Sequence, residues 1–588
     1  MPSKDNRPDH DSRTGATATP LHETLERLSA IAGIRGNAQA ASVFARAAAL
    51  VRTHGIASDR ELEPLLQDPP QEGDVEVLRQ LRHMHQAGAW ILVESAMADL
   101  PSDLRRIVES GALTIDQLAA LHRALGVTTA VDLAAEVRRQ GIRRVPGLDE
   151  AAELRVARAL PTLRAALTPV PLGRAAALAE PILERLRGTR GVLWAEAAGS
   201  LRRGQAVVGD VELVAPTLDP APALDAALDE VGAAQLLHRS GRRLYVRADQ
   251  VQIGVRCPEP DIGGSVLLHL TGTAAHVRKL AERAVDRGFA LTPEGLARRR
   301  EDDRIGDSEE AIYAALDLPW IPVEIRDGGE EIDVAARGAL PTLLVGRDVR
   351  GDLHMHTRWS DGRHSTEAMV AASAAAGYEY IAITDHSQQA AASRTLHADQ
   401  VARQAEEITA LRDRFPRLTI LHGCEVDILA DGALDFDDRT LERFDIVLAS
   451  LHEQWGQEPD ELLRRYLRAV RHPLVAVITH PTNRMIPYRH GYELDYDRLF
   501  EAAVETGTAI EIDGAPQHLD MDGTLARRAV AAGVTVIVSS DSHRADMLER
   551  QMGFGVRTAR RGWVEARHVL NTRPIADVRA FIAAKRRG

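Results

Sequence analysis

The feature that most constrains this chain begins after Arg350, where short β-rich runs recur at regular intervals. They read "DLHMH", "YIAIT", "LTILHGCEV", "DIVLASLH", "VAVITH", "TAIEI" and "VTVIVSS". A helical, alanine-rich or charged segment follows most of them. Strands alternating with helices in this way form parallel β/α units, as a barrel or as an open doubly wound sheet. In both folds the chemistry collects at the C-terminal ends of the strands.

Those ends carry a pattern. The first run closes with His354 and His356, with Asp361 just beyond, and the second with Asp385 and His386. Glu425, His452 and His480 close the third, fourth and fifth. The sixth ends near Asp513, and the seventh runs into Asp541, Ser542 and His543. Residues i and i+2 of a strand share a face, so His354 with His356, and Asp541 with His543, can each grip one ion. A lone histidine is ordinarily a surface or hydrogen-bonded residue. Seven strand ends delivering metal-capable groups to one face are a different matter. Mixed imidazole and carboxylate donors suit Zn²⁺, Mn²⁺ or Fe²⁺ rather than Ca²⁺ or a structural thiolate zinc. His354, His356, Asp361, His386, Glu425, His452, His480, Asp541 and His543 exceed what one tetrahedral ion takes, so two or three divalent ions are implied. Clustered ions with open positions generate hydroxide near neutral pH and neutralise phosphate oxygens, which points to phosphoester hydrolysis.

The rest of the chain bounds this reading. A length of 588 residues exceeds one core. The N-terminal twenty residues are polar and expected to be disordered, and they lack the apolar stretch of a signal peptide. No run is apolar enough to span a bilayer. Two cysteines, Cys257 and Cys424, cannot make a disulfide framework and suit a reducing cytoplasm. A net charge of −13 argues against a surface built for indiscriminate nucleic-acid binding, although "RRLYVR" (242–247) and "ARRRE" (297–301) could line a local basic groove. Residues 21–165 have a helical pattern with a loop at "QDPPQEGD" (67–74). Residues 170–323 mix helices with short strands such as "GVLWAEAAG" and "DVELVAP", residues 324–348 look like a linker, and 349–588 hold the β/α units.

The motifs "HMH", "TDHS", "CEVDIL", "SLH", "THPT" and "SDSH", in this order over the C-terminal region, resemble the PHP (polymerase and histidinol phosphatase) family of metallo-phosphoesterases. The resemblance implies a distorted seven-stranded β/α barrel. It also implies one metal on His354, His356, Glu425 and Asp541, a second shared through Glu425 with His452 and His480, and a third on Asp361, His386 and His543. The preceding half resembles a bacterial family X DNA polymerase ending in such a domain. The segments that carry this are "GSLRRGQAVVGDVEL" (199–213), "LTGTAAHVRKLAERAVDRGFALTPEGL" (270–296) and "EEAIYAALDLPWIPVEIR" (309–326). In that family Ser200 and Arg203, beside Gly209, would contact the nucleotide triphosphate. The metal triad would be Asp210 with positions 212 and 252.

The chain departs from the family where synthesis needs it most. Glu212 and Gln252 stand where aspartates are expected, and Val277 stands where an asparagine helps hold the nucleotide. Two-metal nucleotidyl transfer needs anionic oxygens, and a neutral glutamine supplies none. This counts against Mg²⁺ binding and synthesis there. The N-terminal helices resemble the family's helix-hairpin-helix region, but "VPGLDEA" (145–151) has Asp149 where a glycine lets backbone N–H groups meet a phosphate. The chain has only three lysines, Lys4, Lys279 and Lys585, which excludes a Schiff-base lyase in the folded N-terminal region.

The reading that best joins these signs is a metal-dependent phosphoesterase of DNA repair. It acts on gapped or 3′-recessed DNA ends as a 3′-5′ exonuclease or end-processing enzyme, on a polymerase scaffold whose synthesis site is impaired. The alternatives are a bifunctional polymerase and exonuclease, a small-molecule phosphatase of the histidinol-phosphatase type, and a non-cutting DNA-end adaptor. Arg484 and Arg489, just after "THPTN", are candidate phosphate clamps.

Overall fold

The computed structural model describes residues 20–34, 37–68, 74–87, 92–93, 96, 100, 102–165, 170–232, 235–248, 251–298, 304–390, 392–452 and 457–587. The expected tail, most of the 67–74 loop and the end of the 297–301 cluster lie outside the described residues. No described helix is long and apolar enough to cross a membrane.

The chain forms two compact units. One takes in the N-terminal helices with Gln235–Ser240 and Leu244–Val246, and the other takes in Gly241–Arg243 and most of the chain after Thr168. In the first, helices Leu21–Ile34, Ala38–Thr53 and Val75–Ala87 bury Leu25, Val43, Ala47 and Leu81. Helices Ser102–Glu109, Ile115–Leu125, Ala130–Arg138 and Glu150–Ala165 contribute Leu104, Leu118, Leu133 and Val156 to a second cluster. Thr114 and Thr129 start two of these helices with reciprocal capping boxes. At the "VPGLDEA" turn Gly147 takes a φ of 84°. The Asp149 carboxylate accepts the Ala152 N–H at 2.7 Å. It thereby caps the helix.

The second unit begins with the polymerase-like region. Strand Val211–Val214 pairs in parallel with Val251–Arg256 and antiparallel with Glu196–Ala197. Residues 324–348, which look like a linker in sequence, are packed instead. Helix Glu331–Ala336 forms within them, and Ile325, Ile332, Ala335 and Leu343 join the same cluster as Leu268, Leu280 and Tyr313. Apolar side chains at near-helical spacing give the segment a face to bury, which a free linker lacks.

The remainder is a seven-stranded, all-parallel sheet in sequential order. Its strands are β1 (Gly351–Asp352), β2 (Tyr380–Ile383), β3 (Thr419–Asp427), β4 (Ile446–Ser450), β5 (Val475–Ile478), β6 (Ala509–Asp513) and β7 (Val536–Ser539). Helices α1 (Thr366–Ala375), α2 (Val401–Arg414), α3 (Pro459–Val470), α4 (Tyr496–Thr506), α5 (Gly523–Ala531) and α6 (Leu548–Arg561) supply the crossovers and the outer layer. Strands covered on both faces need apolar residues along their length, as "YIAI" and "VAVI" have, and "IVLAS" up to its closing Ser450. Within β4, Val447 and Ala449 face one cluster and Ile446 and Leu448 another, as the period of two requires. Just past β1, Met355 bridges in parallel to Ser542, and the His356 N–H bonds the Ser542 carbonyl at 3.0 Å. The first and last strands therefore meet, and the sheet is a nearly closed barrel.

Candidate metal centre

Glu425 is the hub. It lies late in β3, fully buried. One carboxylate oxygen is 2.8 Å from His386 Nδ1, 3.4 Å from His354 Nε2 and 3.6 Å from His356 Nε2. The other is 2.9 Å from His480 Nε2 and 3.6 Å from His452 Nε2. Around this hub the donors fall into three groups, in each of which the ligating atoms lie within 4.8 Å of one another. They are His354, His356 and Asp541; His386, Glu425 and His452; and His356, Asp361, His386 and His543. The barrel thus brings together all nine residues expected from the sequence.

The donor set fits divalent metal. His354 and His356 present Nε2 atoms 3.1 Å apart. Two imidazoles on one tetrahedral ion, at about 2.0–2.1 Å each, bring their nitrogens to roughly this spacing. Glu425 Oε2, Asp361 Oδ1 and His386 Nδ1 are buried without a well-aligned hydrogen bond, each facing another donor of the cluster (Glu425 Oε2 to His386 Nδ1 at 2.8 Å, Asp361 Oδ1 to His543 Nε2 at 3.2 Å), an arrangement that a shared cation satisfies. The backbone is bent to serve the same end. His480 and Asp541 hold φ values of 22° and 46°, a conformation that costs non-glycine residues about 1–3 kcal/mol and concentrates at functional sites. Gly362 lets the 357–364 loop double back so tightly that a Cβ would lie 2.6 Å from the Thr357 backbone, and this fold returns Asp361 to the cluster.

The electrostatics match. Burial opposes charge on His354, but Glu511, Glu425 and Asp541 carry its pKa well above the ordinary value. Burial would also raise Glu425, yet His354, His452 and His386 hold it ionised well below the usual range. Burial, with His386 and His543 close by, lowers His356 to about 3.

A layer of acids behind these residues fixes their orientation. Glu511, in β6, accepts from His354 Nδ1 at 2.7 Å, from the Ser539 hydroxyl at 2.5 Å and from the His480 N–H at 2.8 Å. Asp427 accepts from His452 Nδ1. Sequence reasoning named neither as a site residue. The available signal was that Glu511 lies two residues before Asp513 on one strand face, and that Asp427 lies two after Glu425 on another. Asp513 turns its Oδ1 to the Ala515 N–H at 2.6 Å, and burial beside Asp541 and Glu511 raises its pKa well above normal. Asp385 accepts from Thr357, Ser360 and Gln404, so it braces the loops. Arg484 donates to the carbonyls of His518 and Leu519, and Arg489 to Asn483. Both guanidinium groups hold loops together.

The polymerase-like region presents a different picture. Glu212 stands opposite Gly254, and Val214 opposite Arg256, in the parallel pair. Arg256 reaches back to Glu212, with Nε 3.0 Å from its carboxylate. The longer acid at position 212 is therefore paired with a cation, and the half-buried Gln252 on the neighbouring strand brings no charge. Ser200 lies in the one-turn helix Gly199–Arg202. Arg203 is directed at the Thr271 carbonyl at 2.6 Å, and Arg561 of α6 donates to the Arg203 carbonyl at 3.2 Å. A side chain at Gly209 would meet nothing within 4 Å. Val277, half-buried in helix Ala274–Asp286, offers an aliphatic surface.

Comparison with known proteins agrees with this layout. A family model described as DNA polymerase beta thumb matches residues 266–327, and one described as PHP domain matches residues 352–514. The "DNA polymerase/3'-5' exonuclease PolX" of Bacillus subtilis is 33% identical over 494 residues, which is 83% of this chain and 86% of that protein. This chain belongs to the PolX family, the family X DNA polymerases with a C-terminal PHP domain. A "Probable phosphatase" of Syntrophotalea carbinolica is 34% identical over 169 residues, 28% of this chain and 65% of that protein. A solved structure of Leishmania infantum polymerase beta covers 37% of this chain and 94% of its own, at 16% identity and a TM-score of 0.24. Within the PolX family, then, this chain combines a buried cluster of imidazoles and carboxylates around Glu425 with a Glu212–Arg256 pair and Gln252 in its polymerase-like half.

Proposed function

We propose that this PolX family member is a metal-dependent phosphoesterase that trims or unblocks the 3′ ends of DNA, and that its polymerase-like half holds DNA without extending it. The observation that carries the reading is the convergence of imidazoles and carboxylates on the buried Glu425. His354, His356 and Asp541, with Glu425, would hold one ion. Glu425, His452 and His480 would hold a second, and Asp361, His386 and His543 a third. Zn²⁺, Mn²⁺ and Fe²⁺ suit these donors. When bound, such ions supply Lewis acidity to a phosphate and lower the pKa of water.

The chain's own residues do the rest. Glu511 and Asp427 accept hydrogen bonds from the Nδ1–H groups of His354 and His452 and so turn the Nε2 atoms to the centre. The ion pair at Glu212 and the neutral Gln252 support a silent synthesis site. Its two free, buried thiols suit a protein working in the reducing cytoplasm.

A small-phosphoester reading has one supporting observation, the likeness of the C-terminal region to a probable phosphatase. One experiment separates the two. The protein is stripped with chelator and reloaded with Mn²⁺ or Zn²⁺, then given a 3′-labelled oligonucleotide or a panel of small phosphomonoesters. Metal-restored release of labelled mononucleotide supports the proposal. Turnover of the small esters alone would replace it.

A further inference from the structure

Between the two loops that leave His356 and His386 lies a cavity of about 660 Å³, a size that takes a nucleotide. Arg358, Arg394, Arg403 and His397 line it, and among the described residues its lining contains no carboxylate. That is unusual in a chain of net charge −13. Many arginines of the molecule are tied to acids, as Arg326 is to Glu309 and Arg560 to Glu324. These three are held differently. Arg358 donates from Nε to the Arg363 carbonyl at 3.1 Å, and Arg394 donates to the carbonyl of Gly362, the neighbour of Asp361, at 3.2 Å. Arg403 lies over the Trp359 ring, 5.8 Å from its centroid, and the Trp359 indole N–H is anchored on Glu407 at 2.6 Å. The cations are thus positioned without being neutralised, and among the described residues their remaining guanidinium N–H groups have no protein acceptor.

The geometry points to a phosphate-binding track for a nucleic-acid strand, in which Arg358, Arg394 and Arg403 hold the phosphates next to the one seated at the metal centre. This rests on the phosphoesterase reading above and deepens it. A lone phosphomonoester would satisfy its charge on the metals and leave these arginines idle. A strand brings further phosphates, and guanidinium forks match them in charge and shape. Arg394 bonds the Gly362 carbonyl, next to Asp361, and Asp361 lies 3.2 Å from His543, so the track is placed beside that end of the centre.

The test compares the full chain, loaded with Mn²⁺, with Arg394→Ala/Arg403→Ala and with the surface control Arg579→Ala. Two substrates are used, a single-stranded oligonucleotide and the p-nitrophenyl ester of thymidine 5′-phosphate, which carries one phosphate. The double variant is expected to lose about ten-fold in kcat/KM on the oligonucleotide, mainly through KM. The slope of log(kcat/KM) against log[salt] should fall by about 0.7 for each phosphate that the variant no longer neutralises. The ester rate and the control should stay at wild-type values. Equal losses on both substrates would mean that the arginines only shape the loops, and no loss on either would remove the track. If wild type cleaves the ester and not the oligonucleotide, the function reading fails and takes the track with it. If wild type cleaves both and the double variant matches it, the track alone fails.

Discussion

Replacing Glu511 by glutamine keeps the side chain's shape while removing one charge and one acceptor from beneath the metal centre. The carboxylate accepts three hydrogen bonds, with His354 Nδ1 and Ser539 on one oxygen and the His480 N–H on the other. Glutamine has one carbonyl oxygen and one NH₂ group, so in either orientation its amide faces at least one buried donor. An unpaired buried group costs about 1–3 kcal/mol, so the melting temperature should fall by several degrees with the fold intact. The larger effect is on the metal. Loss of a partner that orients an imidazole ligand lowers metal affinity about 10–100-fold, or about 1.4–2.7 kcal/mol. Competition of Mn²⁺ or Zn²⁺ against a chromophoric chelator, with calorimetry on the same samples, separates the two effects. A folded Glu511→Gln protein that binds metal with wild-type affinity would refute the role given to Glu511.

Two further predictions use the polymerase-like half. Glu309 is buried between Arg326 and Arg202; burial works to raise its carboxyl, and the two arginines overcome this to hold it at about 2. A depressed folded pKa adds stability above the ordinary 4.5 that drains as pH falls toward 2. The melting-temperature gap between wild type and Glu309→Gln should therefore be full at pH 7 and close through that window; a gap that persists unchanged at the acid end would contradict the pairing. Gln252→Asp alone should leave primer extension undetectable, because Arg256 still holds Glu212. Glu212→Asp and Arg256→Ala added to it are the combination expected to bring extension back, which a gel with labelled primer checks.

Much of the barrel is legible in the sequence because its strands are buried on both faces and read as unbroken apolar runs. Most of the polar positions left to interpret lie at or near their C-terminal ends. That logic reaches His354, His356, Glu425, His452, His480 and Asp541 directly. It stops short of Glu511 and Asp427, whose role depends on which imidazole each meets across neighbouring strands. The Glu212–Arg256 pair was hidden for the same reason, since it needs the register that sets Val214 beside Arg256. Segment 324–348 misled because its charged and glycine-rich start masks the apolar spacing of Ile325, Ile332 and Leu343. Arg484 and Arg489 look free in sequence, and only the fold shows the carbonyls that claim them.

The most direct test of the account is a labelled primer on a gapped template, incubated with Mn²⁺ in the presence and absence of nucleotides, with wild type and His354→Ala in parallel lanes. The account predicts 3′ shortening by wild type, none by His354→Ala, and no extension in any lane. Extension by wild type would contradict the reading of Glu212, Gln252 and Arg256, and shortening that survives His354→Ala would contradict the assignment of the chemistry to the barrel.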